Sequence, residues 1–192
     1  IKSRVYTTRL LYEKIATLKL SINTFMSASG IGFYGAHNSE KIFSEDDSPF
    51  NDFISKCCVQ WENSVNLFQP LSRVVIIRLG LVLNKNEGGL PKVCSLVKKG
   101  LGASIGSGLQ YMPWIHLNDA VNIFIECLNN EKFNGVYNGV APEHKTNNEF
   151  TKEIAIAIKK KIRLPNIPPF ILKTLYGELA DLLLYGSKVN AD

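Results

Sequence analysis

The chain has 192 residues, 45% hydrophobic and 20% charged, with 22 Lys and Arg against 17 Asp and Glu, for a formal net charge of +5. This is ordinary globular composition, long enough to bury one core or two small lobes, with no repeat or low-complexity tract. No apolar run reaches the roughly 18 residues that a membrane-spanning helix needs.

The first helical pattern starts at once. Val5, Leu11, Ile15 and Leu18 recur at helical spacing over residues 4–18, and no entry signal precedes them. The expectation is that the chain is the later part of something longer. Residues 22–29, INTFMSAS, read as a short buried strand that runs into SGIGFYG, a cluster of hydroxyls and glycines. Residues 36–52 are polar and carry Pro49, so a loop is expected. DFISKCCVQWENSVNL, residues 52–67, reads as a helix that Pro70 stops. RVVIIRLGLVL, residues 73–83, is the strongest strand. Its continuous β-branched run is that of a strand buried on both faces of a parallel sheet. Helix, strand, helix and strand in that order give an α/β chain and favour a doubly wound parallel sheet.

After residue 84 the character changes. NKNEGGL is a turn-rich break, and LPKVCSLVKKGL reads as a helix. GLGASIGSG, residues 100–108, has four glycines in nine residues, but no Gly-Lys-Ser/Thr follows, so it lacks the Walker pattern. It also lacks the strand-and-helix setting of a dinucleotide fingerprint, and reads as a turn-rich connection. YMPWIH reads as extended and LNDAVNIFIECLNN as a helix with Asp119 in its first turn, at the positive end of the dipole. GVYNGVAP reads as a strand and turn. Thr146 and Glu149 have capping-box spacing ahead of EFTKEIAIAIKKK. Pro165, Pro168 and Pro169 break the chain before a last helical stretch that includes ILKTLYGELADLLL.

Other chemistries find little support. The basic cluster KKKIR, residues 159–163, reads as the solvated end of a helix. It has no interleaved aromatic platform, so no nucleic-acid partner is expected. His37, His116 and His144 are scattered, which suggests no metal site. Cys57, Cys58, Cys94 and Cys127 have neither metal-ligand nor disulfide-framework spacing, so reduced thiols in an intracellular protein are expected. In an open parallel sheet, ligands sit outside the carboxyl ends of the strands. Two such ends are visible, SASGIGFYG and RLGLVL, and small residues there let a flat ring approach the backbone. On spacing alone, a strand terminus with incidental hydroxyls is the other reading.

The ordered set SR, TT, LL, SASGIGFYG, DF, WE, RLGLVL, GLG, IGSG, WIH with a following Asp, YNGVAP and TN-x-EF resembles the atypical short-chain dehydrogenase/reductases called epimerase family proteins, in the NAD-dependent epimerase/dehydratase superfamily. The resemblance covers essentially the whole chain. It implies a Rossmann fold of the extended type, with residues 1–83 as the later half of the dinucleotide-binding domain. Residues 84–192 would then be a smaller substrate-side lobe, with helix 115–130 packing back on the first part. It implies missing first strands with their glycine-rich turn, a short C-terminal truncation, and NADP as cofactor with NAD as the alternative. Arg4 would contact the dinucleotide, Ser29 and Val82 would lie at the nicotinamide end, and Tyr34 belongs to the aromatic turn.

Two departures narrow the reading. Where extended members place a Tyr-x-x-x-Lys pair, the stretch DFISKC puts Phe53 and Cys57. Phenylalanine cannot transfer a proton, a thiol carries no fixed positive charge, and Lys56 lies about 100° away around the helix. Met112 stands near where nucleotide-sugar epimerases carry a diphosphate-gripping arginine, and a thioether cannot grip a diphosphate. The resulting expectation is an NADP(H)-dependent oxidoreductase acting on a small carbonyl or alcohol, with Ser29 and Tyr34 as the remaining candidate catalytic hydroxyls. The alternatives are a dinucleotide-binding regulator without turnover and a nucleotide-sugar epimerase, the latter disfavoured. Expected partners are the small-molecule substrate and a second copy in a homodimer, with no membrane; the expected location is cytoplasmic, a mitochondrion or plastid being the alternative.

Overall fold

The structure, a computed structural model, describes residues 2–191. In chain order its elements are α1 (Lys2–Thr17), β1 (Thr24–Gly30), β2 (Ser39–Phe43), α2 (Phe53–Val65), β3 (Arg73–Leu79), β4 (Leu81–Leu83), α3 (Gly89–Lys98), β5 (Trp114–His116), α4 (Leu117–Asn129), β6 (Gly135–Gly139), α5 (Asn147–Ala157), α6 (Pro169–Tyr176), α7 (Asp181–Leu184) and β7 (Ser187–Val189). A 3-10 turn, Ile31–Tyr34, follows β1 directly.

The main sheet has the order β1-β3-β6, all parallel. Its central strand owes its place to an unbroken apolar run. Val74, Val75, Ile76 and Ile77 are each 2% exposed or less, and alternate side chains serve opposite faces. Val74 and Ile76 pack with Phe68, Val65 and Ile15, against α1 and the end of α2. Val75 and Ile77 pack with Cys127 and its α4 neighbours Ile123 and Phe124. Helices therefore cover both faces of a parallel sheet, as the sequence pattern requires. Phe68, fully buried, stacks on Phe25 of β1 with ring centroids 3.6 Å apart, fixing α2 to the sheet.

Four elements depart from the sequence reading. The run at residues 73–83 is two strands. Gly80 donates its backbone N–H to Gly139 in β6, and Leu81 donates to Pro113, ahead of β5. The chain thus changes partner from β6 to β5 at Gly80, where a Cβ would stand 2.7 Å from the Pro113 carbonyl oxygen. The polar stretch 36–52 contains β2, which pairs in parallel with β7 across nearly the whole chain. The helix of EFTKEIAIAIKKK stops at Ala157, and Lys159 turns the chain at φ 55°, leaving Lys159, Lys160, Lys161 and Arg163 exposed. The capping box itself is present, with Thr146 Oγ1 accepting from Glu149 N and Glu149 accepting from Thr146 N. Finally, the last helical stretch, which Pro169 opens at a position where its missing N–H costs nothing, is not continuous. It splits at Gly177, with φ 58°.

Candidate functional site

The site begins as a row across three strand ends. Ser29 in β1, Arg78 in β3 and Asn138 in β6 are register partners side by side. Parallel neighbours in register point to the same face, so the three polar groups meet on one side of the sheet. Each is more than nine-tenths buried. Asp52 caps α2 by accepting from Ser55 N, and this helix lays Glu62 over the row. The 3-10 turn after β1 brings in Phe33 and Tyr34. Ser55 Oγ donates to the Phe33 carbonyl, 2.7 Å away, which ties that turn to α2.

Arg78 and Glu62 form a two-pronged ion pair. Arg78 Nε and Nη2 each donate to a different Glu62 oxygen at 2.9 Å. Ser29 Oγ donates to Glu62 Oε1 at 2.7 Å. Arg78 Nη1 donates to the Tyr34 hydroxyl at 3.0 Å, and that hydroxyl donates to Asn138 Oδ1 at 2.8 Å. The Arg78 guanidinium also lies 3.4 Å from the Phe33 ring centre, a cation–π contact. Glu45 Oε1, from the loop after β2, accepts the Asn138 backbone N–H. Two fully buried charges are thus satisfied by each other and by hydroxyls, the condition under which such a pair survives burial.

The same arrangement sets the proton affinities. Burial raises the Tyr34 hydroxyl above its ordinary value, against the opposing pull of Arg78, so it stays protonated at neutral pH. Burial pulls the Arg78 guanidinium down, but the Glu62 hydrogen bonds and charge outweigh it and leave the group raised. Nearby, burial foremost pushes the Cys58 thiol up to about 11. Cys57, Cys58, Cys94 and Cys127 are all free thiols.

Beside the row, outside the carboxyl ends of β1 and β3, lies a cavity of about 340 Å³. Its walls are the turn from Ile31 to Ala36, Leu81, the segment Tyr111–Pro113, and parts of α7 and β7. Tyr34 belongs to both the row and the cavity wall.

The residues singled out from sequence fall in different places. Ser29 and Tyr34 are joined through Glu62 and Arg78. Val82 sits half-buried in β4, in register with Ile115. Arg4 is exposed on α1, its guanidinium 4.6 Å from the Trp61 ring centre. Phe53 is half exposed and Lys56 exposed, while Met112 lines the cavity. Glu62, Arg78 and Asn138 were not singled out. The available signals were Arg78 as the charge closing an apolar run and Glu62 beside Trp61. Among the described residues, no group of three His, Cys, Asp or Glu is placed to hold a metal, and no helix is long and apolar enough to cross a membrane.

No family model matches the chain. Individual relatives do. The chain is 32% identical over 192 residues to human epimerase family protein SDR39U1, covering 98% of this chain and 64% of that protein. It is 34% identical over 164 residues to the Arabidopsis thaliana chloroplastic homologue of SDR39U1, covering 85% of this chain and 47% of that protein. It therefore spans roughly half to two thirds of these curated relatives. A crystal structure of human SDR39U1 (isoform 2) with NADPH superposes with a TM-score of 0.90 at 32% identity, over 98% of this chain and 64% of that one.

Proposed function

Because the chain belongs to the epimerase family proteins, Rossmann-fold members of the NAD-dependent epimerase/dehydratase superfamily, we propose that the protein it represents binds NADP(H) and acts as an oxidoreductase on a small carbonyl or alcohol. What supports this most is the superposition, over nearly the whole chain, on a relative crystallised with NADPH.

The residues present fit such a cofactor. Gly30, at the tip of β1, has nothing nearer than 3.9 Å where a side chain would begin, so a ring can approach the backbone there. Asn138 keeps a buried side-chain N–H donor without a partner at the end of β6. We assign Ser29 and Val82 to the nicotinamide end and Arg4, exposed on α1, to the dinucleotide. When bound, the cofactor supplies or removes a hydride. This chain would supply the proton. Tyr34 is the candidate donor: burial keeps it protonated, and Arg78 stands where it would stabilise the tyrosinate left behind. In that role the guanidinium replaces the fixed positive charge lacking at Cys57. Ser29 would orient the carbonyl oxygen only by turning its one hydroxyl proton from Glu62 to that oxygen.

One observation favours the second reading, a dinucleotide-binding regulator without turnover. Both candidate protons point inward, Ser29 to Glu62 and Tyr34 to Asn138. Following NADPH binding by fluorescence, and its oxidation by absorbance, in the full-length protein across a carbonyl panel separates the two. Turnover that Tyr34→Phe abolishes while NADPH still binds supports the enzyme. Binding with no turnover across the panel supports the regulator, and no NADPH binding refutes both.

A further inference from the structure

The wall chemistry of the cavity narrows the ligand. Among the described lining residues none is Lys, Arg, His, Asp or Glu. The apolar surface comes from Ile31, Leu81, Met112, Leu182 and Val189. Three of the four hydroxyls on the wall are occupied, that of Tyr185 being the fourth. Tyr34 donates to Asn138, Ser187 donates to the His37 carbonyl at 2.8 Å, and Tyr111 donates to Glu40 at 3.4 Å.

The cations that border this wall are already paired. Lys188 pairs with Glu40 at 2.7 Å while lying over the Tyr111 ring, and Asp181 faces Lys173 at 3.6 Å. Arg78, behind Tyr34, is taken by Glu62. A phosphate entering here would lose its water and find no free cation to replace it. An uncharged molecule with a hydrocarbon body loses nothing comparable and gains from leaving water. The volume, about 340 Å³, lies near the low end of the roughly 300–1,000 Å³ seen for small-molecule sites.

We propose that this cavity binds a small, uncharged, mainly apolar carbonyl compound or alcohol, with its hydrocarbon body against Met112, Leu182 and Leu81, and does not accept a nucleotide sugar. Only the choice of a carbonyl or alcohol group rests on the oxidoreductase reading; the apolar, uncharged class rests on the wall.

The test is calorimetric titration of the full-length protein, with and without NADPH, using 2-octanone, cyclohexanone and UDP-glucose as probes. NADPH is titrated separately on every variant. At least one ketone is expected to bind and UDP-glucose is not. Met112→Trp and Leu182→Trp, which fill the cavity from two different elements, are each expected to weaken ketone binding by about tenfold or more. Two variants are used so that misfolding of one, seen as a lost melting transition, leaves the other to decide. Ketone binding that both folded variants leave unchanged overturns the proposal. So does UDP-glucose binding that both variants weaken. Failure of both ketones to bind overturns it whether or not NADPH binds. If NADPH does not bind but a ketone does, with the expected variant dependence, the cofactor reading fails and the cavity assignment stands.

Discussion

Two regions meet at Tyr34 and are built in opposite ways. On one side, Ser29, Glu62, Arg78 and Asn138 form a buried polar row in which almost every donor and acceptor is matched. On the other, the cavity wall is mainly apolar, and the Ser187 and Tyr111 hydroxyls on it have partners of their own. The row is rigid because moving one member strands a charge in a dry interior. The cavity is permissive because apolar contact has no direction. The function proposed above would use both: a fixed floor and an adaptable wall. The contrast also says where substitutions should hurt the fold and where they should alter only binding.

The sharpest break comes from the row. Arg78→Met leaves Glu62 buried without its counter-charge, and should cost about 3–5 kcal/mol in denaturant unfolding of the full-length protein. Adding Glu62→Leu should restore a large part of that loss, because the stranded charge is removed as well. A double variant no more stable than Arg78→Met would contradict the pairing described here. Tyr34→Phe removes one hydroxyl between Arg78 and Asn138 and should cost about 1–3 kcal/mol, with NADPH binding retained.

The cavity wall should respond more weakly in stability. Leu182 is already 50% exposed, so Leu182→Ala should cost about 1 kcal/mol or less while still weakening ligand binding. An unfolding penalty as large as that of Arg78→Met would erase the distinction between the two regions. The smallest effect at neutral pH belongs to the groups that burial keeps protonated. Cys58 titrates at about 11 in the fold against 9.0 ordinarily, and Tyr34 is also raised. The folded state holds those protons more tightly than the unfolded chain does. The stability from Cys58 is therefore complete below pH 9 and lost as pH rises through about 11. Unfolding free energy measured across that range should fall, and Cys58→Ala should fall less steeply.

What the sequence made legible follows the range of the signal. The run Val74–Ile77 announced a strand covered on both faces, because burial on both faces leaves no alternation. Thr146 and Glu149 announced a helix start, because that bond is closed within four residues. The break at Gly80 was hidden, since a lone glycine in an apolar run marks a change of partner only once Pro113 is seen beside it. Strand β2 was hidden too. Its partner, Ser187–Val189, lies almost at the other end of the chain, and nothing local in SEKIF specifies pairing. For the site, Ser29 and Tyr34 were visible from their place at a strand tip. Glu62 and Arg78 were not, because a glutamate in a helix and an arginine near a strand end ordinarily face water. Only the register row and the helix laid over it turn them inward.

The most direct measurement is a crystal structure of the full-length protein with NADPH. The account predicts the nicotinamide ring in van der Waals contact with Ser29 and Val82, at the carboxyl ends of β1 and β4, facing the cavity. A ring bound elsewhere, with Ser29 and Val82 out of contact, would contradict it.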